Sequence, residues 1–132
     1  MQIAGHGIDI VDTDRIARMR ADHGPNFMDR CFTDAEQAEA ARYENDRRQI
    51  QYVAGRFAAK EAVLKALGTG WSDGIAWTDV EVLGEPSGRP VVTLHRLCKQ
   101  IAVSQHIDQW WISISHIETH ATASAIAVRS HA

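Results

Sequence analysis

Residues 3–11 alternate weakly, with Ile8 and Ile10 on one face and Gly7, Asp9 and Val11 on the other, which predicts a short strand whose Asp9 faces away from the isoleucines. Asp12 or Thr13 can cap a following helix that carries Ile16 and Met19, stops at His23-Gly24-Pro25 and presents Arg15 and Arg18 on one face. A short connecting stretch covers residues 27–32. Thr33-Asp34-Ala35-Glu36 then has capping-box spacing and opens an alanine-rich helix ending near Tyr43. A longer helix is predicted over residues 46–67, closed by Gly68 in the turn Gly68-Thr69-Gly70. Val53, Phe57, Leu64 and Leu67 form its front and Ala59, Ala62 and Ala66 its back, the pattern of a central helix packed on both sides and lying on a sheet. Residues 77–83 and 90–94 flank the turn-rich Gly84-Glu85-Pro86-Ser87-Gly88-Arg89 and read as a hairpin. A short helix over 96–105 and two strands over 110–115 and 122–128, joined near 116–120, complete the pattern.

Two positions break it. Asp9 lies in the first strand among apolar residues, and on a helical wheel Glu61 falls inside the apolar arc of the long helix. A buried carboxylate is protonated, paired with a cation or bound to a metal. One or two carboxylates, with water and a substrate phosphate, suit Mg²⁺, whereas a turn cap at Asp9 and an i,i+4 pair between Glu61 and Lys65 would account for the same residues without a metal. Lys60 and Lys65 flank Glu61 and could hold phosphate oxygens, or could simply reach into solvent.

Composition narrows the partners. A length of 132 residues, 45% hydrophobic and 23% charged, suits one domain with one core, and a net charge of -3 argues against a general nucleic-acid binder. Cys31 and Cys98 are far apart with no CxxC spacing, so reduced thiols are expected rather than disulfides or a thiolate zinc site. The first residues lack a basic stretch followed by an apolar run, and no apolar segment reaches the roughly 18 residues that span a bilayer. A cytoplasmic protein without membrane contact is expected. Ser115 and His116, adjacent in a strand, point to opposite faces and do not form a nucleophile and base. His116 could instead donate to a phosphate from a strand end, or be an ordinary structural histidine.

Gly7-Ile8-Asp9-Ile10-Val11, then Gly55-Arg56-Phe57-Ala58-Ala59-Lys60-Glu61-Ala62 with Lys65-Ala66-Leu67-Gly68-Thr69-Gly70, then Ser113-Ile114-Ser115-His116, together closely resemble the holo-acyl-carrier-protein synthase family in order and spacing. The resemblance covers nearly the whole chain. It implies a single 4'-phosphopantetheinyl transferase domain over 1–132, of α+β class, with the long helix packed on a small, mainly antiparallel sheet. It also implies Mg²⁺-dependent transfer of phosphopantetheine from coenzyme A to a serine of apo-acyl-carrier protein, releasing adenosine 3',5'-bisphosphate, in support of fatty acid biosynthesis.

Carried onto this chain, the resemblance makes Asp9 and Glu61 the metal ligands and Asp9, Glu61 and Lys65 the catalytic group. Lys65, Gly88, Arg89, Pro90 and His116 would bind coenzyme A. It implies a homotrimer in which His116 and the Gly88-Arg89-Pro90 loop meet Glu61 of another chain, and an acidic carrier received by Arg15 and Arg18, with Arg20 beside them. The proton of the carrier serine could pass to a metal-bound water or to Glu61. Trp110-Trp111 and residues 33–51 depart from the family pattern. A noncatalytic coenzyme A or nucleotide-binding module and a Mg²⁺-dependent phosphohydrolase are the competing readings.

Overall fold

The computed structural model describes residues 1–72 and 74–131. Strand β1 (Gln2–Asp12) leads into helices α1 (Thr13–His23), α2 (Pro25–Cys31) and α3 (Asp34–Ala40), and then into the long helix α4 (Asp46–Leu67). A 3₁₀ turn (Trp77–Asp79) precedes strands β2 (Val80–Gly84) and β3 (Pro90–Leu94), helix α5 (Arg96–Ser104), and strands β4 (Gln109–His116) and β5 (His120–Arg129). The class is α+β: β1, β5 and β4 form an antiparallel sheet in that order, while β2 and β3 pair separately.

Helix α4 lies across the inner face of the larger sheet because both surfaces are stripped of bulk. At Gly5 and Gly7 of β1 an added Cβ would stand 2.0 Å from the Ala66 carbonyl oxygen and 1.9 Å from that of Ala62, so strand and helix meet backbone to backbone. Ala121, Ala123, Ala125 and Ala127 line the neighbouring strand β5 and are buried with them. This alanine and glycine seam accounts for the small residues on the back of the helix. Its front packs Phe57 on Phe27 and on Trp77.

Most predicted elements are present, with four differences. Residues 27–32 belong to α2, a helix with Pro25 in its first turn and Phe27 and Cys31 buried; seven residues are too few to show a period. Helix α3 stops at Ala40 rather than Tyr43, and the Gln49 side-chain amide takes up the released carbonyls of Ala40 and Tyr43. Residues 77–79 turn as 3₁₀, so the hairpin begins at Val80.

The fourth difference is Lys60, which is neither a phosphate ligand nor a solvent-reaching side chain. It is fully buried, and its ammonium donates to Glu36 Oε1 at 2.7 Å and to the carbonyls of Val80 at 2.6 Å and Trp77 at 3.2 Å. Glu36 also closes the capping box with Thr33 and accepts from the Val82 amide at 2.7 Å. Burial pushes the Lys60 ammonium down and the Glu36 carboxylate opposes that. The pair clamps α3, α4 and β2 together.

Candidate active site

Strand β1 delivers Asp9 to the sheet face that carries α4, opposite Ala123 of β5, while Ile8 and Ile10 point outward. Asp9 is therefore not a turn cap but a mid-strand carboxylate under the helix. From α4, Lys65 Nζ donates to the Ile8 carbonyl at 2.9 Å and to Asp9 Oδ1 at 3.2 Å. An ammonium has three donors, so a third remains for a ligand. Glu61 accepts at Oε2 from the Trp71 indole at 3.2 Å rather than pairing with Lys65.

Burial pushes the Glu61 carboxyl up, the Trp71 hydrogen bond pulls it down, and the nearby charge of Asp9 adds to the rise. Two carboxylates that repel each other, each with one oxygen bonded to a protein donor, form a hard-oxygen pair suited to a divalent cation. No group of three or more His, Cys, Asp or Glu side chains is placed to hold a metal among the described residues. Two ligands are sufficient for Mg²⁺, which keeps waters and takes substrate phosphate oxygens.

The other expected residues gather elsewhere. A groove of about 890 Å³ opens between α4, the β2–β3 hairpin and the end of β4, and Gly88, Pro90 and His116 line it with Arg42, Arg48 and Arg56. Gly55 makes this junction possible, since a Cβ there would come within 2.9 Å of Ile114 on β4. Arg56 stacks on Tyr52, its guanidinium carbon 4.2 Å from the ring centroid, and stands 3.8 Å from Glu39. Tyr52, Arg56 and Glu39 thus form one polar cluster on the groove wall, and burial holds the Tyr52 hydroxyl well above the usual phenol range. Arg89 turns away from the groove and lies over Trp111, 4.6 Å from the ring centroid.

Asp9, Glu61 and Lys65 are not among the residues that line this groove. The carboxylates sit at the β1 edge of the sheet and the groove at its β4 edge, with β5 between them. On α1, Arg15 and Arg18 are exposed, and Arg15 lies 5.8 Å from the Phe57 ring centroid and within electrostatic reach of Glu61. Arg20 is already engaged, by Asp46 at 2.5 Å and Gln49 at 2.6 Å. Arg48, Arg56, Tyr52 and Trp71 were not marked by sequence. Arg56 stands inside a recognised motif, but only the fold shows that its side chain turns to the groove.

The family model described as the 4'-phosphopantetheinyl transferase superfamily matches residues 5–125. The holo-[acyl-carrier-protein] synthase of Alkaliphilus oremlandii is 45% identical over 96% of this chain and 99% of its own. The crystal structure of holo-[acyl-carrier-protein] synthase from Neisseria meningitidis superposes with a TM-score of 0.85 at 30% identity, covering 96% of this chain and 99% of that one. The Bacillus anthracis holo-(acyl-carrier-protein) synthase in complex with CoA (3',5'-ADP) gives a TM-score of 0.78 at 33% identity, covering 96% and 97% of the two chains.

Proposed function

This chain belongs to the 4'-phosphopantetheinyl transferase superfamily, and on that premise we propose that it is a holo-acyl-carrier-protein synthase, moving phosphopantetheine from coenzyme A to a serine of an apo-acyl-carrier protein. The observation that carries the reading is the meeting of Asp9, Glu61 and Lys65 where β1 crosses α4. The serine oxygen attacks the pantetheine-side phosphorus of a pyrophosphate, the P–O bond to adenosine 3',5'-bisphosphate breaks with its electron pair leaving on the bisphosphate, and the serine proton passes to Glu61 or to a water. Charge neutralisation and alignment are the main requirements of such a step.

Asp9 and Glu61 would hold Mg²⁺, which supplies that neutralisation when bound. Lys65, with a donor to spare, holds a phosphate oxygen beside Asp9. At the other edge of the sheet, Arg48, Arg56 and His116 place cationic and hydrogen-bonding groups around a groove suited to the phosphorylated nucleoside end of coenzyme A, with Gly88 and Pro90 on its wall. Arg89, lying on Trp111, fixes the hairpin loop that carries Gly88 and Pro90.

Because carboxylates and groove lie at opposite edges of one sheet, one coenzyme A would bridge two chains, the β4 edge of one beside the β1 edge of the next. The outer sheet face supports such an assembly: Ile3, Ile8, Ile10 and Trp111 are exposed on it. A homotrimer closes the arrangement. Arg15, within electrostatic reach of Glu61, and Arg18 on the same helix would receive the acidic carrier, and the enzyme would serve fatty acid biosynthesis in the cytoplasm. No helix among the described residues is long and apolar enough to cross a membrane.

The test is mass spectrometry of an apo-acyl-carrier protein incubated with the enzyme, coenzyme A and Mg²⁺. A gain of one phosphopantetheine is expected. No gain with folded enzyme and several carriers would overturn the proposal, and phosphate-ester cleavage without a carrier would point to a hydrolase.

A further inference from the structure

Glu61 is held by a residue from outside its own helix. Beyond the Gly68 cap the chain folds back and brings Trp71 over α4, where its indole N–H donates to Glu61 Oε2 at 3.2 Å. The ring is anchored: its centroid lies 3.9 Å from that of Trp77, and Trp77 stacks on Phe57 at 4.4 Å. The Trp77 carbonyl is held in turn by the buried Lys60 ammonium. Phe57, Lys60 and Glu61 all belong to α4, so the aromatic stack leaves the helix, is fixed to it by Lys60 and returns to it at Glu61.

We propose that Trp71 is a positioning residue that orients the Glu61 carboxylate for a divalent cation, an inference that rests on the metal role proposed above. The indole N–H occupies Oε2, and among the described residues Oε1 has no hydrogen-bond partner; for Asp9 the corresponding oxygens are Oδ1, held by Lys65, and Oδ2. Each carboxylate thus keeps one oxygen for the cation. Donors to metal-ligating carboxylates typically change metal affinity by about 10–100-fold when removed.

The experiment follows Mn²⁺ binding by electron paramagnetic resonance, with coenzyme A present and no carrier, so that nothing turns over. Two variants separate the N–H from the ring: Trp71→Phe keeps an aromatic face on Trp77, and benzothienylalanine at position 71 keeps the whole bicyclic outline and lacks only the donor. Both are expected to bind Mn²⁺ about tenfold more weakly than the wild type and to need correspondingly more Mg²⁺ for half-maximal transfer, with KM for the carrier unchanged. Wild-type Mn²⁺ affinity in the benzothienylalanine protein, or tighter binding in either variant, would overturn the role of Trp71 while wild-type transfer stands. A wild-type protein that neither binds Mn²⁺ nor modifies a carrier would overturn the proposed function and this inference together.

Discussion

Two neighbouring residues, Lys60 and Glu61, carry opposite charges into opposite environments. Lys60 is enclosed with Glu36, and Lys60→Ala would leave that carboxylate buried without its cation, at an expected loss of about 3–5 kcal/mol measured by urea denaturation. Glu61 works the other way. Its carboxyl is held above the ordinary range, chiefly by burial, so the folded chain binds its proton more tightly than the unfolded chain. That contribution favours folding below the ordinary carboxylate pKa and is lost as pH rises through the raised folded value. At neutral pH without a divalent cation, Glu61→Gln should therefore melt above the wild type, and Mg²⁺ added in the presence of coenzyme A should give further stabilisation only to the wild type. The same variant should have no measurable transferase activity. A wild-type melting temperature above that of Glu61→Gln in chelator would contradict the burial argument.

At the scale of elements, the chain is most readable where one element has one task. The capping box at Thr33 and Glu36, the Gly68 cap of α4 and the alternation of β1 all predicted local structure correctly, because each depends on neighbours in sequence. Thr33→Ala removes the acceptor for the Glu36 amide and the donor to Glu81, and should cost about 1 kcal/mol or slightly more in thermal or urea unfolding. What sequence hid depends on distant partners. Asp9 and Glu61 stood out as polar residues in apolar patterns, but the burial of Lys60 requires Glu36 from another helix, and Trp71 has no periodicity linking it to Glu61. The groove was legible only in part: Gly88, Pro90 and His116 were expected, whereas Arg48 and Tyr52 sit in a stretch without a motif. Gly7 was visible in its motif, yet only the contact explains it. Gly7→Ala must push β1 off the Ala62 carbonyl, and a loss of roughly 1–3 kcal/mol or more should appear as a lower melting temperature together with a lower transfer rate, since Asp9 moves with the strand.

The proposed function gives two surfaces of the whole molecule separate tasks. On α1, reversing Arg15 and Arg18 to glutamate should slow association with an acidic carrier while leaving the coenzyme A affinity of the free enzyme unchanged, and stopped-flow binding at low salt would detect it. On the outer sheet face, Ile8→Glu with Ile10→Glu should release monomers, seen by light scattering, and activity should fall with the assembly. The separation of carboxylates and groove across the sheet makes one further demand. In a ring, each site takes its acid from one chain and its histidine from the next. Protein inactivated by Glu61→Gln and protein inactivated by His116→Ala, dissociated and reassembled together in equal amounts, should then complement each other. With random assortment about a quarter of all sites receive both intact residues, so two dead enzymes mixed would recover about a quarter of the original rate.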